Sequence, residues 1–350
     1  MENTINSLRP LRLGEILDQA VRLYRRNFIA FIGIIALIHI PLSLIQMGLS
    51  YLMTTGMNPA STDPFEMFSP GYFIGIFGSM LMGAVQFILL QGIATGALTQ
   101  AMTSSYLFNR PLGIIEAYQQ IRNSLGRLVL SMVVMLAIAF GLSILTVIIP
   151  IVGWLVGPGL LIFLFTMVNP LIAPVVVFEK QEVLENLRRA WDLARRRFWW
   201  LLGFVFILNL FAQLVITGPA MVLNYVLLLL ISPELSLDPN LLTTLATALV
   251  SLTLGLVYVP LQMTAQSLVY FDLRVRTEGF DLALLSLQNT GTQPDLESIR
   301  SLPPQPPSEK LATWTDIGNF TVVTVVIVGL YVLLVALAML FIFGTAGLFF

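Results

Sequence analysis

Residues 128–178 read LVLSMVVMLAIAFGLSILTVIIPIVGWLVGPGLLIFLFTMVNPLIAPVVVF, without one charged side chain. A helix needs about 20 apolar residues to cross roughly 30 Å of hydrocarbon, so this run holds two crossings. Residues 150–159, where Pro150 and Pro158 stand among Gly153, Gly157 and Gly159, interrupt the helical pattern and set the break. Uncharged runs of the same kind occupy 27–62, 67–109, 198–233, 239–271 and 317–350. The pattern predicts seven spans, near 28–47, 74–104, 128–149, 158–178, 198–217, 243–271 and 318–343. Residues 218–231 are apolar but short, and read as a kinked continuation of the fifth span or as an interfacial segment.

Composition agrees. Of 350 residues, 57% are hydrophobic and 11% charged, and the mean hydropathy is +0.87. A soluble domain carries about 25% charged residues, so this chain belongs in a bilayer, as an all-α polytopic membrane protein. Eighteen basic against nineteen acidic residues give a net charge of −1 and a pI near 5.9, which argues against nucleic-acid binding. Cysteine is absent, which excludes disulfides, thiol nucleophiles and thiolate metal sites.

With seven spans so placed, the basic residues all fall on one side: Arg9 to Arg26, Arg110 to Arg127, Lys180 to Arg197, Arg274 to Arg276, Arg300 and Lys310. The opposite loops carry only Asp63, Glu66, Glu234 and Asp238. The positive-inside rule then puts the N-terminus in the cytoplasm and the C-terminus outside a bacterial cytoplasmic membrane. The first apolar run begins too late, behind too many charges, to read as a signal peptide.

Three basic segments share a register: 13–28, 113–128 and 183–198. Leu17, Ala117 and Leu187 correspond, as do Val21, Ile121 and Trp191, and Phe28, Leu128 and Phe198 open the following span. Phe108, Phe178 and Phe271 close spans in one style, followed by Asn109, Glu179 and Asp272. The repeating unit is an interfacial amphipathic helix, a span out and a span back, used three times, with one C-terminal span added. Equal orientation relates such units by an axis along the membrane normal, so the first six spans should form a pseudo-threefold bundle. In the third segment Leu184, Leu187, Trp191, Ala194 and Phe198 make an apolar stripe. Glu185–Arg189 and Asp192–Arg196 have i,i+4 spacing on the other face. The organisation is a six-span bundle over 1–285, a Pro-rich cytoplasmic linker over 286–316 and a last helix over 317–350. That helix would dock on the bundle or reach a neighbouring subunit.

Side chains suited to catalysis are scarce. His39, the single histidine, precedes Pro41. It reads as a buried side chain bonded to a carbonyl freed by the proline, or as a proton relay or ligand. Asn169, Asn209, Gln213 and Gln262 are candidates for a polar bundle interior, as inter-helix hydrogen bonds or a substrate path. Arg25, Arg26, Arg195, Arg196 and Arg197 sit where helices meet headgroups. They anchor topology or recruit anionic lipid. No metal site or cofactor is expected. The small-xxx-small spacings Gly71–Gly75 and Gly92–Gly96 suit close helix packing.

RPLRLGEILDQAVRLYRRNF from Arg9, VLENLRRAWDLARRRFWWLLG from Val183 and YFDLRVRTEGFDLALL from Tyr270 together resemble the bacterial integral-membrane proteins grouped with the glycerophosphoryl diester phosphodiesterase membrane domain. The likeness covers about residues 9–285. In that family some membrane regions are fused to a soluble phosphodiesterase resembling a TIM barrel, with essential histidines and metal-binding acids. This chain has a single histidine, inside a span, so the resemblance implies a stand-alone membrane protein and no enzyme activity. The sequence leads to a non-catalytic scaffold or subunit of a membrane complex, with a membrane-protein partner or a second copy. The alternative is transport or handling of a lipid or small amphiphile; an intramembrane enzyme is a distant third. No acid or lysine lies within a span to couple protons or sodium, and no P-loop is present.

Overall fold

The computed structural model describes residues 9–57, 68–179, 181–230, 239–289 and 310–346. Those residues form eleven helices and no sheet. A helix α1 (Leu13–Arg26) turns at Asn27 into α2 (Phe28–Thr55), and α3 (Pro70–Leu107) returns. The short α4 (Ile114–Ile121) runs through one 3-10 turn into α5 (Leu125–Ile148), followed by α6 (Val152–Glu179). Then come α7 (Val183–Arg196), α8 (Phe198–Leu227, its last turn reaching Leu230), α9 (Pro239–Glu278), α10 (Phe280–Asn289) and α11 (Trp314–Ala346). Seven helices are long and apolar enough to cross a membrane, so the chain is a multi-pass α-helical membrane protein.

Local chemistry sets the breaks. Asn27 ends α1 by donating its amide to the Leu23 carbonyl (2.9 Å) and the Ser105 hydroxyl (2.8 Å). Ser69 caps α3 by accepting from the Tyr72 N–H, and Pro70 sits where no helical N–H is needed. Gly279 takes φ +66 between α9 and α10, a left-handed turn that glycine adopts without steric cost. The break predicted over 150–159 is shorter: the chain turns at residues 149–151, and Pro158 lies inside α6. Residues 218–230 continue α8 after a wide π turn at Gln213–Thr217, so they are the kinked continuation of the fifth span. Similar wide turns interrupt α3 at Phe87–Ala94 and α6 at Phe163–Val168. In α3 the Thr95 hydroxyl meets the Leu90 carbonyl that the π turn frees, at 2.9 Å.

The core lies at the arginine-rich end. Residues 95–107 of α3, 169–178 of α6 and 263–275 of α9 are buried without interruption, and these three return helices touch one another. Around them the short helices follow a cyclic order: α4 packs on α3, α7 on α6 and α1 on α9. Each outgoing helix lies against its own return helix and that of the preceding unit: α5 on α6 and α3, α8 on α9 and α6, and α2 on α3 and α9. The same order of contacts recurs three times along the chain.

In lipid, helices gain little by burying apolar surface against one another, so close approach and polar ties decide the packing. A Cβ added at Gly75 would lie 2.6 Å from the Met53 nitrogen, and one at Gly96 would lie 2.9 Å from the Leu128 side chain. The last helix docks on the bundle. The Gly159 N–H donates to Thr324 Oγ1 (2.8 Å), and Phe320 enters an aromatic cluster with Phe163, Trp191 and Phe198. Trp191 Nε1 donates to the Leu311 carbonyl (2.7 Å). Beyond this anchor, residues 325–339 are exposed. Most of the Pro-rich linker, 290–309, lies outside the described residues.

Candidate functional site

Two polar features stand out, one at each end of the bundle. At the arginine-rich end, Arg189 is fully buried and joins two carboxylates: its Nε meets Glu179 at 2.9 Å and its Nη2 meets Glu278. Arg274 approaches Glu278 at 3.2 Å, and its guanidinium stacks 4.4 Å from the Phe280 ring. The Tyr270 hydroxyl donates to Glu179 (3.0 Å) and accepts from Arg274 (3.3 Å). Burial opposes the charge on Arg189, but the adjacent Glu179 and Glu278 carboxylates outweigh it and hold the guanidinium pKa above its ordinary value. Two cations and two carboxylates balance, with their hydrogen-bonding capacity turned on each other. Such a network fixes α6, α7 and α9 together, and offers no open position for a substrate.

Beside it the N-terminal segment is tied down. The Leu11 N–H donates to Asp272 Oδ1 (2.7 Å), while Arg276 bonds the Leu11 carbonyl and Asp272 Oδ2 (2.7 Å). The three motifs quoted above therefore meet at one end of the molecule. Sequence spacing missed this. It paired Arg189 with Glu185 on the face opposite the apolar stripe, whereas the partners of Arg189 come from α6 and α9. The Asp192–Arg196 pair does form, at 2.7 Å.

The second feature is a cleft of about 510 Å³ between α2, α3 and α9, within the size range of small-molecule sites. One stripe of α2 lines it with His39, Ser43, Gln46, Ser50 and Thr54. Gln86 of α3 and Thr244, Thr247 and Ser251 of α9 face them, with Met47, Ala248 and Leu252 between. No lining residue is charged. At the floor, a Cβ added to Gly255 would sit 3.4 Å from His39 Nε2, so α2 and α9 close there. At 1.5 Å per residue the floor lies about 16 Å along α2 from Phe28, about half the thickness of a hydrocarbon layer. Gln46 donates to Ser79 Oγ at 3.2 Å, but His39 Nδ1 and Thr247 Oγ1 are buried without a partner. An unsatisfied buried polar atom costs about 1–3 kcal/mol, and both of these atoms are enclosed beside the cleft and shut off from solvent.

The remaining sequence candidates disperse. His39 Nδ1 does not bond a carbonyl freed by Pro41, because it has no hydrogen-bond partner. Asn169 is buried, with its Oδ1 unpartnered, and Gln262 is half-buried. Asn209 and Gln213 do not belong to the bundle interior: both are exposed on α8. Asn209 spends its amide on its own helix, donating to the Val205 carbonyl (2.9 Å), and the π turn starts at Gln213. Among the arginines, Arg26 bonds Ser105 of α3 and Asn109 (2.7 Å) just beyond that helix. Arg195 joins Asp192 (2.9 Å) and Asp316 (3.3 Å), and Arg196 joins Asp192. Arg25 is exposed and Arg197 half-buried. No group of three or more His, Cys, Asp or Glu able to hold a metal occurs among the described residues. Comparison with known protein families, with curated proteins and with solved structures finds no match for this chain.

Proposed function

We propose that this multi-pass membrane protein handles an amphiphile, held in the cleft between α2, α3 and α9, without catalysing a reaction. The observation that carries this reading is the cleft itself, polar, uncharged and of small-molecule size. The cleft stripe on α2 borders Ile40 and Leu44, both exposed on the outer surface of the bundle, which gives a lipid a lateral way in. The resemblance to the glycerophosphoryl diester phosphodiesterase membrane-domain proteins belongs to this proposal. So do the bacterial cytoplasmic membrane, the cytoplasmic placement of the arginine-rich end and the absence of enzyme activity. The positive-inside bias supports that orientation, and the cleft then opens toward the extracytoplasmic leaflet.

A photoreactive benzoylphenylalanine in place of Ser50, compared with one in place of exposed Leu37, tests the reading in native membranes. A lipid adduct concentrated at Ser50 is expected. Equal labelling at both positions overturns it.

The scaffold reading rests on a different observation, the exposed and uncharged surface of α11 over residues 325–339. A stoichiometric protein adduct from Val326→benzoylphenylalanine would favour it.

A further inference from the structure

The charge distribution of the cleft narrows the class of its occupant. We infer, resting on the amphiphile reading above, that the cleft selects a lipid with an uncharged, hydroxyl-bearing head group, held by the uncharged polar side chains that line it, His39 and Thr247 among them. An anionic or zwitterionic phosphate entering this space would shed hydration, and no lining side chain offers a counter-charge. The charged side chains with assigned ion pairs all lie elsewhere, mostly at the arginine-rich end. A hydroxyl loses less on leaving water and regains it by hydrogen bonding. It is both donor and acceptor, so it matches the Ser, Thr, Gln and His side chains of the lining whichever way each of them turns. Met47, Ala248 and Leu252 interrupt the polar lining and suit the glycerol backbone and first methylenes of a lipid better than they suit a free sugar. Diacylglycerols and neutral glycolipids share this chemistry.

The test uses the full chain in nanodiscs of phosphatidylcholine doped with equal amounts of diacylglycerol, monoglucosyldiacylglycerol and phosphatidylglycerol, with retained lipid read by native mass spectrometry. Neutral hydroxyl lipids should be enriched over phosphatidylglycerol by about tenfold or more. Enrichment of the diacylglycerol identifies the glycerol hydroxyl as the anchor; enrichment of the glucosyl lipid alone identifies the sugar. The variant Thr247→Val, alone and with His39→Leu, should remove most of that enrichment. Ala248→Trp, which fills the cleft and keeps both anchors, should abolish retention, and it carries the test if His39→Leu fails to fold. Phosphatidylglycerol retained as strongly as the neutral lipids, or selectivity that survives Thr247→Val with His39→Leu in a folded protein, overturns the inference and leaves the amphiphile site standing. Retention of no lipid, or retention indifferent to Ala248→Trp, overturns both.

Discussion

Removing the Arg189 guanidinium leaves the Glu179 and Glu278 carboxylates buried with one cation fewer. Breaking a buried pair from one side costs about 3–5 kcal/mol, so Arg189→Met should destabilise the protein on that scale in reversible unfolding from mixed micelles. Arg189→Lys should recover only part, because an ammonium is a point charge and lacks the fork that reaches two carboxylates. A loss below about 1 kcal/mol, the scale of an exposed pair, would contradict the network. Glu15 makes the opposite case, exposed and local. The Arg12 backbone N–H (2.8 Å), aided by the Arg9 cation, holds its carboxyl below the usual carboxylate range. A lowered pKa means that the cap is present above the ordinary Glu range and is lost as pH falls through the lowered value. The Arg12 amide resonance should titrate with a midpoint below that of an unperturbed Glu, and Glu15→Gln should abolish the titration. A midpoint at or above the ordinary value would refute it. The Glu15 contact spans three residues and is legible from spacing. The partners of Arg189 lie ten and eighty-nine residues away, and no helical spacing reports them.

Among the elements, the docking of α11 on α6 depends on a missing side chain. A Cβ on Gly159 would lie 2.0 Å from the Phe320 carbonyl oxygen, so Gly159→Val must push the helices apart. It also strains the Gly159–Thr324 hydrogen bond and the Phe320 aromatic cluster. With no native cysteine to compete, spin labels at exposed Trp154 and Ile327 can follow this contact. The Gly159→Val distance distribution should broaden and lengthen, and an unchanged narrow distribution would show that α11 is held elsewhere. The seven spans were legible in the apolar runs, because hydrocarbon thickness fixes their length. The π turns were not, since a one-residue widening barely alters hydrophobic periodicity. The placement of Asn209 and Gln213 failed for a related reason. Polarity inside a span marks a hydrogen-bonding need, but a helix can answer it with its own carbonyls, as Asn209 does.

Across the whole molecule, burial is concentrated at the arginine-rich ends of the three return helices, while the cleft separates α2 from the far half of α9. Local opening free energy follows local packing. Amide exchange should therefore be slowest in residues 95–107, 169–178 and 263–275, and faster in 244–252 of α9. Slowest exchange in α11 instead would overturn this picture of the core. The buried ends also explain why the shared register of the three short helices is meaningful. In the register set out above, Tyr24, Ser124 and Ala194 stand at equivalent positions, and all three are buried.

By itself the sequence determined which helices are long and apolar enough to cross a membrane, and it proposed a three-unit register and a common side for the arginines. Each of these follows from one-dimensional patterns: the length of apolar runs, the spacing of residues along a helix and the partition of charge between loops. Only the tertiary structure decided which arginine is buried and with what partners, where the last helix docks, and which polar span residues share a cleft. Those depend on helices far apart in the chain meeting at specific angles and depths, and a hydrogen bond or ion pair forms only where atoms from both arrive within about 3 Å.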